Sequence, residues 1–257
     1  MSSRALRRSS LRPAPDVAMQ RVGAFAFCIY LALTTLILGV FAAPMILFGA
    51  DGARGAVKIW ARTILTGLRA LTGVRHRIEG AEHLPKDGAI VAANHQSMWE
   101  TVVFFTLLPK PVFILKKELL RIPVFGWWAK PAGNIAVDRK GGARALRALR
   151  REAADKIARG CQVIVFPEST RLQPGEVRKF QPGVAGVYLA ANAPCVPVAH
   201  DSGRHWRHPG IMKVPGEIIL RILPAIAPGL DRREFLETLQ ERIIAARPDL
   251  VASKTDG

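Results

Sequence analysis

Beyond residue 73 the chain alternates short runs rich in apolar residues with longer stretches where apolar and charged positions recur every three or four residues. The short runs predict strands near 74–79, 89–93, 111–116, 134–138, 162–166, 195–199 and 217–223. A strand covered on both faces is apolar throughout, and that is how most of these segments look. The longer stretches predict helices near 98–108, 142–159, 182–192 and 231–246. In 142–159, Leu146, Leu149, Ala153 and Ile157 fall on one face and Arg144, Arg147 and Arg151 on the other, the division expected of a helix laid on a core. Strands alternating with helices imply an α/β layer fold, a mostly parallel sheet flanked by helices.

The N-terminal part has a different pattern. No charged residue occurs from Val22 to Ala50, a stretch longer than the ~20 residues that cross a bilayer core. It also exceeds the about 7–15 apolar residues of a secretory signal, so a retained membrane anchor is expected. From Ala53 to Leu71, Arg54, Lys58 and Arg62 recur at helical spacing, while Val57, Trp60, Ile64, Leu65, Leu68 and Leu71 form a broad apolar face. That is the pattern of a helix lying in the membrane interface; its competitor is a helix facing a protein core. Both flanks of the anchor are basic, with Arg4, Arg7, Arg8, Arg12 and Arg21 before it and Arg54, Lys58 and Arg62 after it. The positive-inside rule keeps both on the cytoplasmic side, which a single span cannot do. Pro44 marks a candidate break for a re-entrant or hairpin insertion. The resulting division is a basic disordered tail over 1–21, an anchor and interfacial helix over 22–72, one catalytic-size domain over 73–247 and a C-terminal tail over 248–257.

Chemistry concentrates at Asn94-His95-Gln96-Ser97-Met98-Trp99-Glu100. It follows the apolar run Ala89–Ala93 and precedes Val102–Phe105, so a strand, a loop and a helix should follow one another here. Histidine, with an ordinary pKa of about 6.5, suits a general base working near neutral pH. A carboxylate on its other ring nitrogen would fix the tautomer and stabilise the imidazolium. Positions five apart lie about 140° from each other on an ideal helix. His95 and Glu100 can therefore meet only with His95 in the loop and Glu100 in the first helical turn. The same letters also spell a capping box, Ser97 to Glu100, which needs no catalysis.

Three further segments follow in order. Gly133–Arg139 is a short strand ending in Asp-Arg, Phe166-Pro167-Glu168-Ser169-Thr170-Arg171 follows a second strand, and Val196-Pro197-Val198-Ala199 is a proline-bearing strand. Together with the His-x4-Glu segment they resemble the four motif blocks of the 1-acylglycerol-3-phosphate acyltransferases, over residues 74–225. The resemblance departs from the usual pattern at Glu100, usually aspartate, and at Ser169, usually glycine. It implies the glycerolipid acyltransferase fold, with a two-helix anchoring region ahead of an acyltransferase domain. It also implies His95 and Glu100 as catalytic residues and Arg139, Glu168, Arg171 and Lys116 as substrate-binding residues. The arginines and Lys116 each stand at a strand end, and a guanidinium fork matches phosphate oxygens bidentately. Glu168 is a candidate for binding an acceptor hydroxyl or holding an arginine. The run Pro123–Trp128 is a candidate lining for an acyl groove.

Charge is consistent with a membrane-surface enzyme. With 37 Lys plus Arg against 20 Asp plus Glu, the formal net charge is +17, which favours anionic headgroups and would equally favour nucleic acid. Against nucleic acid stand the absence of zinc-ligand spacing and of an aromatic single-strand platform. Cys28, Cys161 and Cys195 lack CxxC spacing and imply neither a metal nor a disulfide framework. No Gly-x-Gly-x-x-Gly or Walker loop is present, so no cofactor is implied. The expected reaction is acyl transfer from acyl-CoA or acyl-carrier protein to 1-acylglycerol 3-phosphate, giving phosphatidate, with the catalytic domain on the cytoplasmic side of the membrane. The competing readings are another lyso-lipid acceptor, such as lyso-ornithine lipid, and a membrane-tethered basic binding protein without catalysis.

Overall fold

A computed structural model describes residues 17–138 and 141–251. Helix α1 (Val17–Phe41) and α2 (Gly49–Thr72) precede β1 (Val74–Glu79), β2 (Ala89–Ala93), α3 (Trp99–Leu107), β3 (Pro111–Lys116) and the short α4 (Phe125–Ala129). There follow β4 (Ile135–Val137), α5 (Gly142–Ala158), β5 (Gln162–Val165), α6 (Gly183–Ala191), β6 (Cys195–His200), β7 (Gly216–Ile222), α7 (Arg232–Ala246) and α8 (Pro248–Val251). The strands form one sheet in the order β1-β7-β6-β2-β5-β3-β4. The pair β6–β7 is antiparallel and the other pairs are parallel. Strands β6, β2, β5, β3 and β4 therefore all end at one edge.

β2 shows why this sequence makes a three-layer structure. All five of its residues are buried, and a strand's side chains alternate between faces. Val91 and Ala93 join Phe27, Ile64, Leu68, Trp99 and Val103 in the core under α1, α2 and α3. Ile90 and Ala92 join Ile157, Tyr188, Phe235 and Leu239 under α5, α6 and α7. On α5 the expected division holds: Ala153 and Ile157 are buried, and Arg144, Arg147 and Arg151 are exposed. α7 is capped by Asp231, whose side chain accepts the N–H groups of Arg233 and Glu234, satisfying donors that a helix start leaves open.

The N-terminal segment breaks at Pro44, the candidate position, and departs from expectation at its start and on the face of α2. Residues 17–21 belong to α1 and are not tail; residues 1–16 lie outside the described set. α1 stops at Phe41, and the chain turns through a 3₁₀ segment, Ala43–Phe48, that contains Pro44. It then returns as α2, with Tyr30 Oη donating to the Thr63 carbonyl at 3.0 Å and Trp60 Nε1 to Thr35 Oγ1 at 3.0 Å. A Cβ on Gly67 would stand 2.1 Å from the Tyr30 ring, so glycine permits this approach. Finally, α2 turns Ala61, Ile64 and Leu68 into the protein core, leaving Ile59 and Leu71 exposed. The apolar face assigned to a membrane interface is thus largely a core face, because α1 and α3 cover it. α2 ends at Gly73, whose φ of 70° and N–H bond to the Arg69 carbonyl close the helix.

α1 is long and apolar enough to cross a membrane. Val22, Phe25, Leu33, Leu36, Val40 and Phe41 on it are exposed, as are Leu47 and Phe48 just beyond. At the other end, Pro248–Val251 is helical and Asp249 is buried, so the expected tail over 248–257 begins with an anchored turn.

Candidate active site

The common edge of the parallel strands collects the polar residues. His95 follows β2, Lys116 ends β3, Glu168 and Arg171 follow β5, and Ser202 follows β6. Ligands of open α/β sheets bind beyond such strand ends. Asn94 fixes the first turn: its Nδ2 donates to the His200 carbonyl and its Oδ1 accepts the His200 N–H, both at 2.9 Å. His95 is thereby held in a loop locked to β6 at full burial of Asn94.

Glu100 sits in the first turn of α3 and is fully buried. Its Oε1 lies 2.7 Å from His95 Nδ1 and accepts the N–H groups of Gln96 at 2.9 Å and Ser97 at 2.8 Å. Its Oε2 lies 2.7 Å from Ser97 Oγ and 2.8 Å from Ser202 Oγ. One carboxylate therefore serves both the cap and the histidine, and the extra methylene of glutamate is accommodated. Burial pushes the Glu100 carboxyl up, but the neighbouring imidazoles of His200 and His95 and the bonds from His95 and Ser97 outweigh it, leaving the pKa well below the usual range. Burial also lowers the His200 pKa and keeps that ring neutral at pH 7. An ionised Glu100 can only accept, so the proton of neutral His95 resides on Nδ1 and Nε2 keeps its lone pair.

The His95 ring stacks on Phe166 with centroids 4.1 Å apart. Its backbone N–H donates to Glu168 Oε2 at 2.6 Å, and its carbonyl accepts the Leu172 N–H at 2.9 Å. Glu168 is 3% exposed. Burial raises its pKa to about 7 against the bond from His95 and the charge of Arg247, with Glu100 and Asp249 adding to the rise. Ser169, next in the loop, has φ 58°; the left-handed conformation that favours glycine is kept by a serine.

A groove of about 1390 Å³ opens over this edge, lined by His95, Lys116, Glu168 and Arg171 among others. Its walls are largely apolar, with Leu31, Trp60, Phe105, Phe113, Val124 and Trp128. Of the run Pro123–Trp128, Val124, Phe125 and Trp128 line it, while Trp127 is 56% exposed. Arg171 Nε donates to the Ser97 carbonyl at 3.1 Å, which fixes the guanidinium beside the His95 loop.

The residues singled out from sequence thus converge, with qualifications. His95, Lys116, Glu168 and Arg171 share the groove, Glu100 stands behind His95, and Arg139 lies outside the described residues. Among the described residues, the arginine beside Glu168 is Arg247, at 3.8 Å, rather than Arg171. Sequence reasoning missed Ser202, His200, Gln96, Arg247 and Asp249 around the same loop. Asp201-Ser202, polar residues directly after the apolar run of β6, carry the strand-end signal that found the arginines. Nothing in the sequence marks Arg247 and Asp249.

Comparison with known proteins gives a consistent result. A family model described as acyltransferase matches residues 75–201, the segment that contains His95, Glu100, Lys116, Glu168 and Arg171. The chain is 32% identical over 226 residues to the 1-acyl-sn-glycerol-3-phosphate acyltransferase of Pseudomonas aeruginosa, covering 86% of this chain and 88% of that protein. It is 32% identical over 143 residues to the 1-acyl-sn-glycerol-3-phosphate acyltransferase alpha of Homo sapiens, covering 55% of this chain and 50% of that protein. The crystal structure of the Thermotoga maritima 1-acyl-sn-glycerophosphate acyltransferase, PlsC, matches with a TM-score of 0.72 and 25% identity, over 87% of this chain and 94% of that one.

Proposed function

The chain belongs to the acyltransferase family and is an O-acyltransferase, and from that premise we propose that His95 activates the free hydroxyl of 1-acylglycerol 3-phosphate for attack on an acyl thioester. The acceptor oxygen bonds to the thioester carbonyl carbon while His95 Nε2 takes its proton. Collapse of the tetrahedral intermediate breaks the carbon–sulfur bond, and the imidazolium returns the proton to the departing thiolate. Phosphatidate and the free thiol of CoA or acyl-carrier protein are the products. Glu100 stabilises the imidazolium, the role of an orienting carboxylate. Arg171 and Lys116 hold the acceptor phosphate, and the apolar walls take acyl chains. Glu168 acts by holding the His95 backbone. The exposed apolar residues of α1 enter the lipid, with the domain on the cytoplasmic side where acyl donors are made.

The observation that carries this reading is the His95–Glu100 contact of 2.7 Å at the mouth of an apolar groove that also receives Lys116 and Arg171. The test is to assay purified protein with a labelled acyl donor, as CoA and as carrier-protein thioester, against a panel of lyso-lipids. Labelled phosphatidate from 1-acylglycerol 3-phosphate is expected. Transfer confined to another acceptor, or none with either donor, contradicts it.

A further inference from the structure

Arg247 and Asp249 stand outside the motif segments and do not line the groove, yet they reach both loops that carry the site. Asp249 Oδ2 accepts Gln96 Nε2 at 2.9 Å and the Gly175 N–H at 2.9 Å. Gln96 is the residue after His95, and its Oε1 accepts the N–H of Gly203, next to Ser202, at 3.1 Å. Arg247 grips Asp249 with two bonds, Nε to Oδ1 at 3.1 Å and Nη2 to Oδ2 at 2.7 Å. Its Nη1 donates to the Glu176 carbonyl at 2.7 Å and lies 3.8 Å from Glu168 Oε1. The other oxygen of Glu168 receives the His95 N–H. Arg247 and Asp249 have side chains 1% and 2% exposed.

A buried ion pair is a weak source of stability, because desolvation offsets much of its attraction. Here the spare hydrogen-bonding capacity of both partners goes to the loops around His95. We propose that the Arg247–Asp249 pair is a positioning clasp for the catalytic loop, holding His95 from one side through Gln96 and from the other through Glu168. The clasp sets where His95 Nε2 stands over the groove without touching substrate. It rests on the reading of His95 as base. Its importance follows from the tolerance of such sites, in which a displacement of about 1 Å costs about 10²-fold in rate, and a reactive group must be held within about 0.5 Å.

Four full-length proteins test the clasp: Asp249→Ala, Asp249→Asn, Gln96→Met and the double variant Asp249→Ala/Gln96→Met. Asp249→Ala should lower kcat about tenfold or more while KM for both substrates stays within about threefold, since the groove is intact and only the reacting geometry suffers. Asp249→Asn keeps one oxygen for Gln96 and should recover much of that loss. Gln96→Met cuts the same link from the other end, together with the Gln96–Gly203 bond, and leaves the ion pair in place. The double variant should lose less than the two single losses combined, because residues sharing one interaction are non-additive.

Activity is expressed per folded molecule, from the thermal transition of each sample. A wild-type kcat in folded Asp249→Ala overturns the clasp. So do additive losses in the double variant, and a loss that only tracks the unfolded fraction. If Asp249→Ala does not fold, Asp249→Asn and Gln96→Met decide, and wild-type turnover in both overturns the proposal. Turnover surviving in His95→Ala would instead remove the reading on which the clasp rests.

Discussion

Replacing Glu100 by glutamine takes one negative charge from beside His95 while keeping the side chain's length. The glutamine oxygen can still accept the N–H groups of Gln96 and Ser97, and a capping box tolerates Gln at this place. Its amide nitrogen would face the Ser97 and Ser202 hydroxyls, which can turn to accept. What disappears is the attraction between carboxylate and imidazolium, whose contact atoms lie 2.7 Å apart. Charge centres about 4 Å apart interact by about 4 kcal/mol at an effective dielectric of about 20, or roughly 10³-fold in rate. His95 is 16% exposed at its side chain, and water screens part of this, so a kcat lower by 10²–10³-fold is expected. Stability should fall by about 1 kcal/mol, roughly 2–4 °C in Tm, as charged hydrogen bonds become neutral ones. Because Glu100 has a depressed pKa in the folded state, its stabilising effect is present above about pH 4.3 and is lost as acid protonates it. The stability gap between the two proteins should therefore narrow below about pH 4. Thiol release at saturating donor and acceptor, with a thermal scan of the same sample, measures both effects. A folded variant with kcat within about fivefold of wild type would leave Glu100 as a helix cap and refute its role at His95.

Arg171→Ala should reduce kcat/KM for 1-acylglycerol 3-phosphate by about 10²-fold while background hydrolysis of the thioester persists. Equal wild-type rates on 1-acylglycerol and its phosphate would contradict the phosphate site. Ser169→Gly relieves a side chain held at φ 58° and should raise stability by roughly 0.5–1 kcal/mol, read from Tm; a lower Tm would contradict this. Glu168 has its folded pKa raised to about 7, so its contribution is fully present below the unfolded value and is lost as pH rises through neutrality. Glu168→Gln should flatten the fall in Tm between about pH 5 and 8, by an amount on the order of 2 kcal/mol. Parallel Tm profiles for the two proteins would remove that assignment.

The strands were legible because burial on both faces makes β2, β3 and β6 nearly continuous apolar runs, and the predicted limits of β2 and β3 agree with those observed. The direction of β7 was not legible, since its antiparallel pairing with β6 depends on a connection that carries no periodic signal. The partner of α2 was also hidden, because Ile64 and Leu68 make the same helical stripe whether they meet lipid or Phe27. At the site, the five-residue spacing of His95 and Glu100 and the strand-end positions of Lys116 and Arg171 were readable from local pattern alone. Ser202, Arg247 and Asp249 join the site through contacts between residues far apart in sequence, so only the folded chain brings them to His95.

The central claim is that His95, oriented by Glu100, is the base in acyl transfer to 1-acylglycerol 3-phosphate. Single-turnover formation of labelled phosphatidate by purified wild type and His95→Ala, with folded fraction and membrane binding measured on the same samples, tests it most directly. Loss of a positioned general base costs at least about 10² in rate, so the variant should form product at less than about a hundredth of the wild-type rate with its fold unchanged. Phosphatidate formation by folded His95→Ala at more than about a tenth of the wild-type rate would contradict the account.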